Sequence, residues 1–145
     1  MLLGLIALIS TGLFAGAALY VTLVEHPARL ECGPAAAVTV FGPSYRRGAL
    51  MQATLAAVGC VAGVAAWARE GGTTALVAGL LLGAIIAFTL IAILPTNKRL
   101  LDPTLARDSA EATKLLTRWG WLHAVRTAAS GFAFLLLALR VIGGF

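Results

Sequence analysis

His26 and His123, the two histidines of the chain, stand in polar stretches that interrupt an otherwise apolar sequence. Four such stretches occur: Val24-Glu25-His26-Pro27-Ala28-Arg29, Pro43-Ser44-Tyr45-Arg46-Arg47, Pro95-Thr96-Asn97-Lys98 and Arg118-Trp119-Gly120-Trp121-Leu122-His123-Ala124-Val125-Arg126. They offer two imidazoles, the Glu25 carboxylate, the Tyr45 phenol, the Asn97 amide and several guanidinium groups. Two imidazoles from different helices beside a carboxylate suit a mononuclear metal held by His26, His123 and Glu25, or an axial histidine pair for haem. Neighbouring Glu25 and His26 project about 100° apart on a helix, so a shared ion needs Pro27 to distort the turn. The same groups also suit a pocket without a cofactor, or a buried polar cluster that fixes the fold.

Each polar stretch sits at one end of a long apolar run. The chain is 60% apolar and 12% charged, more apolar surface than a soluble domain of 145 residues can hide from water. No charge interrupts Met1 to Val24, Gly48 to Ala68, or Gly71 to Asn97, and each run exceeds the roughly 20 residues a helix needs to cross hydrocarbon. Thr127 to Leu139 is too short alone and must take in His123 and Arg126, or Arg140. The expectation is an all-α, integral membrane, antiparallel four-helix bundle forming one domain over residues 1–145, with spans at about 2–25, 47–68, 74–95 and 116–142. Runs that go up, down, up and down bring all four polar stretches to one rim. Polar groups converging there read as a membrane-embedded site.

Helical spacing fixes which groups face inward. Trp119, His123, Arg126 and Ser130 share one face of the last span, and Tyr45, Gln52, Gly59 and Gly63 one stripe of the second. Thr22, Glu25, His26 and Arg29 lie in a narrow arc, while Trp121 and Arg118 read as an interfacial anchor. Gly12 with Gly16, Gly59 with Gly63, Gly79 with Gly83, and Ala124 with Ala128 are small-residue notches that serve either close packing or a homo-oligomer face. Residues 31–43 read as a first loop with an apolar stretch resting in the interface. Residues 100–117 read as a surface connection or a lid, with Ser109 capping a helix that leads into the last span.

The first run lacks a basic leader segment and stays apolar too long for a secretory signal, so a retained helix is expected. Cys60 falls roughly 18 Å along the second span from its start, far from Cys32 in the loop, and no bridge is expected. No Cys-x-x-Cys occurs, which speaks against thiol–quinone chemistry.

On the polar rim stand nine basic and five acidic residues; the other rim has Arg69, Arg140 and Glu70, a split of +4 against +1. Basic residues favour the cytoplasmic side, which puts the polar rim inside a bacterial-type plasma membrane and both termini outside. A cysteine introduced at Thr73 should then be labelled from outside intact cells, and one in the Asp108 loop from inside. The reverse pattern would show that the rim arginines serve the site rather than topology. The basic residues form no single stripe, so nucleic acid is not an expected partner. A transporter would favour an acidic residue halfway through a span, and the first three spans have none.

The ordered succession of these motifs, Glu25-His26-Pro27-Ala28-Arg29, then Pro43-Ser44-Tyr45-Arg46-Arg47, then Pro95-Thr96-Asn97-Lys98, then Arg118-Trp119 with His123 and Arg126-Thr127, resembles the anthrone oxygenase family from about Gly12 to Ala133. The resemblance implies a membrane-embedded oxidoreductase, a monooxygenase that uses dioxygen to convert an anthrone-like aromatic substrate to a quinone. It implies a base near the substrate methylene, His123 or His26, with Arg126, Tyr45 and Asn97 as donors to the carbonyl oxygen and Glu25 orienting a histidine. Trp119, Gln52 and Arg46 are the substrate-binding residues on the same reading. This chemistry requires no cofactor; the metal and haem alternatives stand beside it. The competing class is a non-catalytic membrane protein, a ligand binder, transporter or assembly partner, whose polar cluster is structural.

Overall fold

The computed structural model describes residues 1–143, and the four apolar runs are four helices: α1 Leu2–Glu31, α2 Pro34–Glu70, α3 Thr73–Leu100 and α4 Ala110–Gly143. All four are long and apolar enough to cross a membrane. They pack as a ring in chain order, α1 on α2, α2 on α3, α3 on α4 and α4 on α1, giving an integral membrane antiparallel four-helix bundle. Reversals are tight. Gly33 (φ 85°) joins α1 to α2, and Gly71 and Gly72 (φ 75° and 85°) join α2 to α3, all in backbone that side chains with a Cβ rarely adopt.

The long first loop expected at residues 31–43 is absent, because α2 already begins at Pro34 and runs straight through Pro43. Pro34 suits a first helical turn, where no N–H is needed. Pro43 forfeits one hydrogen bond, and burial of Ala37, Val38 and Phe41 against Leu105, Leu116 and Trp119 outweighs that loss. All four helices extend beyond the expected spans at the polar-rim end.

Two π-helical turns, Val21–Glu25 in α1 and Thr89–Ile93 in α3, each end two residues before a proline, Pro27 and Pro95. Proline cannot donate to the carbonyl four residues back and its ring clashes there; an extra residue in the preceding turn relieves the conflict. Such widened turns often mark functional sites. Here they re-aim the segments that carry Glu25, His26 and Asn97.

Glycines set the spacing at the opposite half. A Cβ on Gly63 would sit 3.0 Å from both the Ala75 carbonyl and the Gly79 Cα, so α2 and α3 touch backbone to backbone. A Cβ on Gly59 would meet Leu82 Cδ1 at 2.6 Å, and one on Gly12 would meet the Phe134 ring at 2.9 Å. These notches are filled within the bundle. Ala128, by contrast, is exposed, and Gly16 has no neighbour within 4 Å, so the packed face of α4 is formed by Thr127, Ser130 and Ala133 instead of the Ala124–Ala128 notch.

Residues 101–109 cross the rim. Leu105 is buried in the cluster that includes Leu100, Ala112, Leu116 and Trp119, so this connection closes the end of the bundle. The Ser109 hydroxyl accepts a bond from the Ala112 N–H at 3.1 Å, capping α4 itself with no separate short helix before it. The Thr104 hydroxyl and backbone N–H donate to Asp102 at 2.6 and 2.8 Å, and with Arg99 at 2.9 Å they hold its carboxyl below the usual carboxylate range. Arg99 also grips Glu111 at 2.7 and 3.0 Å, tying α3 to the start of α4.

Candidate functional site

The ring of helices encloses a cavity of about 230 Å³ in its polar-rim half. Phe14, Phe41, Ile85 and Ile93 form apolar walls, and Arg29, Gln52, Asn97, Trp119, His123 and Arg126 bring polar atoms to it. Tyr45 lines the same space with its ring stacked on Phe41, centroids 5.7 Å apart. An apolar cavity with a few convergent polar groups is the usual form of a small-molecule site.

His123 is buried, and its orientation is set by two threonines. Its Nδ1 lies 3.0 Å from the Thr22 hydroxyl, which lies 2.8 Å from the Thr127 hydroxyl. Thr127 Oγ1 is in turn 3.0 Å from the His123 carbonyl and 3.3 Å from the Ala18 carbonyl. Each hydroxyl has one hydrogen to give, and carbonyls only accept. Every bond is satisfied if Thr127 donates to a carbonyl, Thr22 donates to Thr127, and His123 Nδ1–H donates to Thr22. That arrangement assigns the neutral tautomer with its lone pair on Nε2, the nitrogen without a hydrogen-bond partner among the described residues.

Trp119 touches both imidazoles, with His26 at 5.0 Å and His123 stacked at 4.7 Å between ring centroids. His26 does not line the cavity. It packs against Gly120, where a Cβ would come within 2.7 Å of Nε2, and borders a separate recess with Thr22 and Trp121.

Arg126 donates to the Gln52 side-chain oxygen, and its guanidinium lies over the Phe14 ring, 5.0 Å from the centroid. Glu25 accepts from Arg29 and from the Ser44 hydroxyl (2.7 Å), so it serves to hold a guanidinium in place. Arg29 also lies over Trp119 at 5.9 Å. Four buried polar atoms on residues around the cavity have no hydrogen-bond partner among the described residues: Arg29 Nε, Arg126 Nε, Trp119 Nε1 and Asn97 Oδ1. Native interiors leave few such atoms, and each costs free energy unless something else satisfies it.

The structure thus gathers His123, Arg126, Tyr45, Asn97, Trp119 and Gln52 around one space. Arg46 is exposed on α2 and does not reach it, because helical phase turns Ser44 and Tyr45 inward and Arg46 out. Glu25 and His26 stay outside the cavity wall. The proposed metal set is not assembled: Glu25 is engaged by Arg29 and Ser44, and no three His, Cys, Asp or Glu side chains among the described residues are grouped to hold an ion. Both imidazoles pack against the one indole and both border the recess beside it, and His123 Nδ1 is held by Thr22 at 3.0 Å. Arg29, Ser44, Thr22 and Thr127 belong to the site region and were not singled out for it. Thr127, one turn after His123 on the same face, carried a sequence signal; the approach of Thr22 to it is a tertiary fact.

Four apolar helices around a mostly apolar cavity with a few polar groups define a multi-pass integral membrane protein. The sequence model for anthrone oxygenases matches residues 1–136, and the chain belongs to that family. No curated protein and no solved structure matches the chain.

Proposed function

We propose that the protein is an oxygen-dependent oxidoreductase that oxidises a small enolisable aromatic ketone in the rim cavity. The observation that carries this reading is the set of unpartnered donors, Arg126 Nε, Arg29 Nε and Trp119 Nε1, around the space that His123 borders. An anthrone-like ketone has an acidic methylene conjugated to a carbonyl. His123 Nε2 takes one methylene proton, and the charge moves to the carbonyl oxygen, where the guanidinium and indole N–H groups stabilise it. The enolate carbon then gives its electrons to dioxygen, and the proton held by His123 returns to the peroxide oxygen, forming a hydroperoxide at that carbon. Loss of water from the hydroperoxide leaves the new carbonyl; one oxygen atom stays in the product and the other leaves as water. Apolar walls exclude bulk water, which strengthens the donors. Arg29, held by Glu25 and Ser44, supplies fixed positive charge beside the Trp119 indole.

Purified protein supplied with an anthrone-like ketone should consume dioxygen mole for mole with the quinone formed. If the quinone forms no faster than in protein-free vesicles, the catalytic reading fails, and the cavity is a ligand-binding or stabilising feature.

A further inference from the structure

Among the residues lining the cavity, only Ala53 on α2 and Leu90 on α3 are also exposed on the outside of the bundle. Gly63 packs on Gly79, and equal steps along the two antiparallel helices from that contact bring Ala53 level with Thr89 and Leu90. The two exposed lining residues therefore stand at one level on either side of the α2–α3 seam, the place for a mouth. This mouth lies within the charge-free runs, Gly48 to Ala68 and Gly71 to Asn97. Beside it, Leu50 and Ile91 are 75% and 77% exposed, apolar side chains of the kind that meet lipid tails. The mouth opens toward hydrocarbon, and the opposite end is closed by the Leu105 connection.

We propose that the cavity is loaded sideways from the bilayer, between Ala53 and Leu90, and that this route selects an uncharged, flat aromatic ligand. The inference rests on the reading of the cavity as the substrate site and adds the route and the selection rule. A charged ligand would have to cross hydrocarbon to reach the mouth, which is strongly unfavourable, whereas a neutral polycyclic ketone partitions into the bilayer and arrives already concentrated. Inside, the unpartnered Arg29 Nε, Arg126 Nε and Trp119 Nε1 suit the oxygen of a neutral carbonyl or phenol. The small side chain of Ala53 keeps the seam open where Gly63 and Gly79 close it further along.

Quenching of Trp119 fluorescence tests the route without turnover. Trp67→Phe and Trp121→Phe together leave Trp119, one of three tryptophans, as the sole reporter. In vesicles, anthraquinone dissolved in the bilayer should quench it, and water-soluble anthraquinone-2-sulfonate should not. Ala53→Phe should slow quenching roughly tenfold or more by narrowing the mouth, and Leu90→Ala should speed it. Equal rates for both probes, or rates unchanged in both variants, would overturn lateral loading in favour of entry from the aqueous rim. The predicted quenching pattern in a protein that consumes no oxygen supports the route and removes the catalytic reading alone. Rates insensitive to the mouth in a fully active protein remove the route alone.

Discussion

His123→Ala is expected to lower oxygen-dependent turnover about 10²- to 10⁴-fold, the range that a positioned general base contributes. The imidazole is buried beside the cavity, and the Thr22 and Thr127 hydroxyls fix it so that Nε2 holds the lone pair. Alanine removes the base and enlarges a space that already exists, while the Thr22–Thr127 bond remains to tie α1 to α4. The variant should therefore unfold at nearly the wild-type temperature in detergent, which separates lost chemistry from lost structure. His123→Gln keeps most of the volume and a hydrogen-bonding group but no basic nitrogen, and should be equally inactive. Near-normal turnover in either folded variant would remove His123 from the mechanism.

Arg126→Lys should lower kcat by about 10²-fold, as loss of one oxyanion donor typically does. Lysine keeps the positive charge, so a purely electrostatic role predicts little change. Arginine, however, reaches Gln52 with one nitrogen, lies over the Phe14 ring and keeps Nε without a partner among the described residues, the donor proposed for the substrate oxygen. A single ammonium group cannot hold both partners in that plane. Steady-state kinetics distinguish the two cases, because loss in kcat with KM little changed marks an interaction made in the transition state. An unchanged kcat in the lysine variant would leave only the charge as relevant.

Much of this site was legible because helical period is strict. Trp119, His123 and Arg126 recur at a spacing that admits one face, and all three line the cavity. The notches at Gly59, Gly63 and Gly79 were equally readable, since close backbone approach has few other solutions. Pro43 was misleading because a proline weakens a helix locally, while the burial of Phe41 and Val38 that overrides it comes from residues far along the chain. Arg29 and Arg46 look alike in composition. Arg29 is buried and held by its salt bridge to Glu25 one turn earlier and by Ser44 on α2, whereas the phase of α2 turns Arg46 out. The same salt bridge occupies the carboxylate that a metal would have needed. The Thr22–Thr127 contact joins positions on the first and last helices, and no local pattern announces it.

The rate of oxygen uptake with substrate deuterated at the methylene carbon tests the central claim most directly. Removal of that proton by His123 precedes the encounter of the enolate with dioxygen, so at saturating oxygen the wild-type protein should turn over the deuterated ketone several-fold more slowly than the ordinary one. The His123→Ala variant should show only the slow background rate. If the two substrates are consumed at the same enzyme-dependent rate under conditions where binding and product release have been shown not to limit turnover, proton abstraction in this cavity is not the step that the protein accelerates, and the proposed mechanism is wrong.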